Sequence, residues 1–134
     1  MKNKETVKFY DTSALLGGAV IDENVFISPT VIDELEHVKT NSLKDERVKY
    51  KARAMVRNLM INTTYKTHIF SQKEIDKLLK KYDFLAAKAD SRIICEALLL
   101  NKTYKVIFIT QDACQYLIVK ERFPELKVEY YEEE

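Results

Sequence analysis

Four acids stand at positions where they could do chemistry together. Asp11 follows the apolar run in "VKFYDTSALL", and Asp112 comes two residues after Thr110, at the end of "KVIFIT". Asp90 opens the apolar segment "SRIICEALLL", and Glu34 lies one turn into "PTVIDELEHVKT". Carboxylates are hard oxygen donors, and three or four of them gathered at one point suit Mg²⁺ or Mn²⁺. Without a cation or a proton, so many like charges would repel one another strongly. Each aspartate also has a plainer explanation, because Asp is among the best helix N-cap residues and all three stand at helix starts. Capping alone predicts that Asn, an equally good cap, could replace Asp11 or Asp90 with little effect. Glu34 and Glu36 both flank the stripe of Val31, Ile32, Leu35 and Val38, so periodicity does not choose between them.

Something must bring these residues together, and the chain alternates strand with helix. "TVKFY", "NVFIS", "TTYKTHIF", "KVIFIT" and "LKVEYY" have the composition of strands. Pro29 opens a helix, "RVKYKARAMVRNLMI" is amphipathic, and "SQKEIDKLLKKY" begins with a capping-box pair, Ser71 and Glu74. "DSRIICEALLL" is apolar nearly all round, which predicts a buried helix, and "DACQYLIVKERF" is a further helix. Alternation of this kind predicts a single-domain, three-layer α/β/α sandwich with a mostly parallel central sheet. The expected domain spans 1–134, with a core of about 7–130 and a frayed acidic end from Glu132 to Glu134. Ligands of such sheets bind outside the carboxyl ends of the strands, at the point where strand order reverses. Asp11 and Asp112 follow strands directly, which places them at that edge.

Composition excludes several classes. The 134 residues fit one domain with a real core. With 22 basic and 21 acidic residues, net charge says nothing about a nucleic-acid partner. There is no apolar leader and no run of 18 apolar residues, so a cytoplasmic protein with no membrane partner is expected. Cys95 and Cys114 lack metal-ligand spacing with His37 or His68, which predicts two reduced cysteines packed on helices. His37 falls outside the apolar stripe, which predicts a solvated surface position, and His68 a packed or edge position. With two glycines there is no phosphate-cradling loop, and "LLGGAV" is a turn.

"FYDTSALL", "ISPTVIDELEHVKT", "KADSRIICEALLL" and "VIFITQDACQYLIVK" occur in an order that resembles the PIN domain family. More narrowly, the chain is similar to the N-terminal PIN domain of PhoH-like ATPases, in which a helix rich in Arg and Ala follows, here "ERVKYKARAMVRNL". The resemblance covers about Val7 to Tyr130. It implies a metal-dependent nuclease, an endoribonuclease acting on single-stranded RNA, with Mg²⁺ or Mn²⁺ as cofactor. Carried over residue by residue, it implies Asp11, Glu34, Asp90 and Asp112 as catalytic and metal-binding acids, with Ser13 and Thr110 as supporting hydroxyls. The family pattern sets the glutamate directly before a leucine, which favours Glu34 over Glu36. The segment Met60 to Lys88 departs from the pattern, and Asp83 rivals Asp90; "KADSRIICEAL" favours Asp90.

The implied chemistry is metal-assisted phosphodiester hydrolysis. A basic run from Lys39 to Arg57 could hold the strand, with Arg53 and Arg57, spaced i and i+4, and Lys49 as expected backbone contacts. Each is equally well explained as solvated helix surface. A second reading is a regulatory nucleic-acid-binding module, a homo-oligomer or a piece fused to an ATPase domain; the chain itself carries no Walker motif. A phosphoacceptor receiver domain ranks lower, because it would need two adjacent acids after the first strand.

Overall fold

The computed structural model describes residues 4–41, 43–84 and 88–132. In chain order the elements are β1 (Thr6–Tyr10), α1 (Thr12–Leu16), β2 (Val25–Phe26), α2 (Pro29–Thr40) and α3 (Glu46–Ile61). There follow α4 (Gln72–Lys81), α5 (Ala89–Leu100), β3 (Lys105–Thr110), α6 (Ala113–Arg122) and β4 (Lys127–Tyr130). Of the acidic end, Glu133 and Glu134 lie outside the described residues.

The strands form one sheet of order β2-β1-β3-β4, with every pairing parallel. All four carboxyl ends therefore lie along one edge. The chain passes from β1 to β2 on one side and later adds β3 on the other, so strand order reverses between β1 and β3. Tyr10 is paired with Ile109 there, and the Asp11 amide continues the ladder by donating to the Ile109 carbonyl at 3.1 Å. This register brings Asp11 beside Thr110.

Packing of aromatic rings explains the register. Phe9 is paired with Phe26 on one side and Phe108 on the other, and the three rings stack with centroids 5.5 and 5.6 Å apart. All three are fully buried. Each such pair contributes about 1 kcal/mol beyond its burial, and a slip of one residue would turn the whole row to the opposite face. The other face is less covered, since Ile107 is flanked by the exposed Lys8 and Lys127.

Helices cover the sheet as their apolar stripes require. In α2, Val31, Leu35 and Val38 are buried behind an N-cap in which Ser28 accepts from the Val31 amide. In α3, Ala52, Met55 and Leu59 are buried, Arg47, Lys51, Arg53 and Arg57 are exposed, and Lys49 is partly buried. Ser71 caps α4 by accepting from the Glu74 amide, and Ile75 and Leu79 pack on Cys95 and Leu99 of α5. No helix among the described residues is long and apolar enough to cross a membrane.

Two expectations need correction. "TTYKTHIF" is not a strand: among the described residues its backbone pairs beside β2 only at Lys66, through hydrogen bonds with Val25 and Ile27. Thr63, Thr64, Thr67, His68 and Ile69 are exposed, and β2 is too short to template a longer ladder. The β-branched composition had no pleated, half-buried surface to fit. Cys114 is exposed, not packed, whereas Cys95 is buried; both are free thiols.

Candidate active site

Asp11 sits at the junction of β1 and α1, only 5% exposed. Its Oδ1 accepts from the Ala14 amide at 3.0 Å, which makes it the α1 N-cap, and from the Ser13 hydroxyl at 2.7 Å. Its Oδ2 accepts from the Thr110 hydroxyl. Those hydroxyls accept in turn: Ser13 from the Gln111 amide at 2.8 Å, and Thr110 from the Asp112 amide at 3.0 Å. Each hydroxyl has one proton, and each proton is directed at Asp11. The 3.1 Å approach of Ser13 to Thr110 is then a packing contact. Burial raises the Asp11 carboxyl above its ordinary value, the three hydrogen bonds oppose that, and the charge of Asp90 adds to it.

Asp112 caps α6 through Oδ1, accepting from the Cys114 and Gln115 amides at 2.9 and 3.1 Å. Asp90 is different. It lies inside the first turn of α5, whose N-cap is Lys88, and α5 has no side-chain capping bond. The capping explanation therefore holds for Asp11 and Asp112 and fails for Asp90. Asp90 is largely open to solvent, yet partial burial raises its carboxyl and Asp112 raises it further, with Lys88 opposing. Glu34 is half-buried; burial and then Asp90 raise its carboxyl, while His37 and Lys44 oppose the shift. Asp90 is thus the common electrostatic neighbour of Asp11, Glu34 and Asp112. Glu36 points to solvent and pairs with Lys39 at 2.8 Å, so Glu34 is the acid that faces the others.

Asp83 follows α4 in the left-handed region, with φ of 57°, which Asp tolerates better than most residues. It shares with Asp90 and Asp112 a hollow of about 290 Å³. Unlike Asp90, it is not among the charges that shift Asp11 or Glu34.

Sequence reasoning passed over two residues. Gln115, 3% exposed, donates from Nε2 to the Asp90 backbone carbonyl at 3.0 Å and so ties the start of α5 to α6. Its place one turn into α6, beside Asp112, is the only signal it offered. Glu96, 4% exposed in α5, accepts from the Thr30 hydroxyl at 3.1 Å. An acid inside an otherwise apolar helix was its signal.

Residues 10–129 match the sequence profile of the PIN domain. The chain belongs to the PIN domain family. Solved structures agree at the level of the fold. VapBC2 from Rickettsia felis, bound to a DNA fragment from its promoter, is matched with a TM-score of 0.59 at 16% identity, over 94% of this chain and 99% of that one. DNA-bound VapBC from Salmonella typhimurium gives 0.60 at 13% identity, over 93% and 98%. VapBC-5 from Mycobacterium tuberculosis, a member of the VapBC family of toxin–antitoxin systems, gives 0.55 at 16%, over 93% and 96%. No curated protein sequence gives a comparable match. The match is to the PIN domain as such, and the narrower likeness to PhoH-like ATPases goes beyond it.

The donor set of this PIN domain fits a hard divalent cation in chemistry. A carboxylate has about four acceptor directions. Asp11 uses three, which leaves one on Oδ2; Asp112 uses Oδ1 for its cap and leaves Oδ2. Among the described residues, no three His, Cys, Asp or Glu side chains close on one point at coordination distance.

The expected strand contacts are not among the charges that shift Asp11, Glu34 or Asp90. Arg53 and Arg57 are exposed on α3, and Lys49 is held by Glu46 at 3.3 Å. Among the described residues, Lys44 and His37 lower the Glu34 carboxyl and Lys88 lowers that of Asp90.

Proposed function

We propose that this PIN domain is a divalent-metal-dependent endoribonuclease that cuts single-stranded RNA, with Asp11, Glu34, Asp90 and Asp112 as its catalytic, metal-binding carboxylates. The observation that carries this reading is Asp90. It has no capping role, it lines one hollow with Asp112, its charge raises the Asp11 and Glu34 carboxyls, and Asp112 raises its own. An arrangement that raises several carboxyls by burial and mutual repulsion costs stability, and such arrangements cluster at functional sites.

In this reading Asp90 and Asp112 would hold Mg²⁺ or Mn²⁺, with Asp11 giving its remaining Oδ2 direction and Glu34 closing the far side. When bound, the ion supplies the positive charge that the scissile phosphate and its leaving oxygen need. Ser13 and Thr110 hold Asp11 in place through both of its oxygens. Lys44 and His37, whose charge acts on Glu34, would take the backbone near the cut, and Arg53 and Arg57 would take it elsewhere. Titration calorimetry tests the metal: Mn²⁺ should bind the wild type and bind Asp90→Asn at least about tenfold more weakly, as expected for loss of an anionic ligand. No binding to the wild type at millimolar Mn²⁺ would overturn the assignment.

One observation favours a second reading, a nucleic-acid-binding module without turnover, including one excised from a PhoH-like ATPase. Asp11 is already satisfied by three hydrogen bonds, and no three acids converge among the described residues. RNA binding without cleavage in saturating Mn²⁺ would support it. Because the solved neighbours are VapBC toxin–antitoxin structures, a protein partner belongs to the proposal as well, and co-purification from the native host would test it.

A further inference from the structure

Glu96 is an odd filling for the middle of a buried helix. Ile93, Ile94, Cys95 and Ala97 around it are all buried. Its Oε2 accepts from the Thr30 hydroxyl at 3.1 Å, while Oε1 is buried with no hydrogen-bond partner of ordinary geometry. Such an orphan requires an explanation, because an unpaired buried polar atom is costly. Thr30 stands in the first turn of α2, behind the Ser28 cap. Glu34 is four residues further on, on the same face of α2, about 6 Å along the axis. Asp90 is six residues before Glu96 on α5, about 9 Å along that axis. Thr30 and Glu34 line one hollow with Ala89 and Arg92 of α5. The Thr30–Glu96 bond therefore joins the two helices that carry Glu34 and Asp90, close to both acids.

We propose that Glu96 is a positioning residue: its buried carboxyl pins the first turn of α2 to the middle of α5 and thereby sets the approach of Glu34 to Asp90. The role rests on the metal-site reading only for its consequence, not for its geometry. Either protonation state leaves Oε2 able to accept from the Thr30 hydroxyl, and the neutral form avoids burying a charge beside the unpaired Oε1. Burial raises this carboxyl to about 7, opposed by the Ser28 and Thr30 hydroxyls and by Arg92; Asp33 on α2 adds to the rise. Cys95, the preceding residue, is itself raised to about 11 by burial and by Glu96. A slide of α2 along α5, in either direction, would break the Thr30 bond to a buried carboxyl, so the joint resists that motion.

The test is a double-mutant cycle of Glu34→Gln and Asp90→Asn, read as melting temperature at pH 8 with EDTA, in four backgrounds. In the wild type the two gains should fall short of additive by roughly 2 °C, because each substitution relieves the same repulsion. The shortfall should persist in Glu96→Gln, which keeps the shape and an acceptor for Thr30. It should shrink by more than half in Glu96→Ala and in Thr30→Val. The second of these removes only the hydroxyl, and it decides the matter if Glu96→Ala fails to fold. Mn²⁺ affinity should fall about tenfold in Thr30→Val and Glu96→Ala, and less than about twofold in Glu96→Gln. Equal shortfalls in all backgrounds, or none in the wild type, would overturn the positioning role. A wild type that shows the shortfall but binds no Mn²⁺ would overturn the metal reading alone.

Discussion

Asp11→Asn and Asp90→Asn should move stability in opposite directions. Asp11 receives protons on both oxygens, from Ser13 and Ala14 on one and from Thr110 on the other. An amide in its place keeps one acceptor and turns its NH₂ toward the Thr110 hydroxyl, which already accepts from the Asp112 amide. That mismatch in a buried network should cost about 1–2 kcal/mol. Capping alone would let Asn serve as well as Asp, but capping involves only the Ala14 bond. Asp90 has no such network and faces like charges, so Asp90→Asn should raise the melting temperature in EDTA, modestly, because its exposed position is screened by solvent. Thermal melts of both variants against wild type check the pair. Glu96 makes a pH prediction at the same scale. Its ordinary value is 4.5 and its folded-state value about 7. Between these the unfolded chain has lost the proton that the folded chain still holds, so unfolding free energy should fall as pH rises through that window and stay level above it. The span corresponds to an effect on the order of 3 kcal/mol, and Glu96→Gln should abolish this part of the slope. Chemical denaturation between pH 4.5 and 8 reads it directly.

Among the elements, those with strong period or flanking caps were legible and those without were not. The apolar run "KVIFIT" becomes a central strand because it pairs on both sides, with β1 and with β4. Ser71, Asp11 and Asp112 accept the helix-start amides that their positions announce, and Ser28, unread in the sequence, caps the helix that Pro29 opens. Thr63 to Phe70 failed because composition alone cannot say whether a neighbouring strand is long enough to pair with. The sheet-edge rule singled out Asp11 and Asp112, which follow β1 and β3, and Glu34 was told from Glu36 only by the family pattern. Glu96 and Gln115 were not legible, since their roles depend on the crossing of α2 with α5 and of α5 with α6, which one-dimensional spacing does not contain. The basic face of α3 supports a prediction of its own. Arg53 and Arg57 are exposed, so Arg53→Gln with Arg57→Gln should weaken single-stranded RNA binding similarly across sequences. The dependence of log affinity on log salt should flatten by about 0.7 for each phosphate that is no longer neutralised. Fluorescence anisotropy over a salt series measures both, and an unchanged slope would make α3 plain solvated surface.

At the scale of the whole molecule, the parallel sheet gathers chemistry at one edge. Every strand ends there, strand order reverses between β1 and β3, and the stacked Phe9, Phe26 and Phe108 hold that register. Folding as a unit also separates the two thiols. Cys114 on the exposed side of α6 should react at once with a thiol reagent, whereas Cys95, buried and raised to about 11, should react only on unfolding. One thiol titrated in the native protein and two in denaturant would show it. If the acids around Asp90 form a metal-dependent nuclease site, cleavage must require both the ion and those carboxylates. The decisive assay is cleavage of an end-labelled single-stranded RNA by wild type, Asp90→Asn and Asp112→Asn, each in Mn²⁺ and in EDTA. Cleavage is expected from the wild type in Mn²⁺ only, reduced on the order of 100-fold or more in each variant. Cleavage that persists in EDTA, or at wild-type rate in both variants, would contradict the assignment.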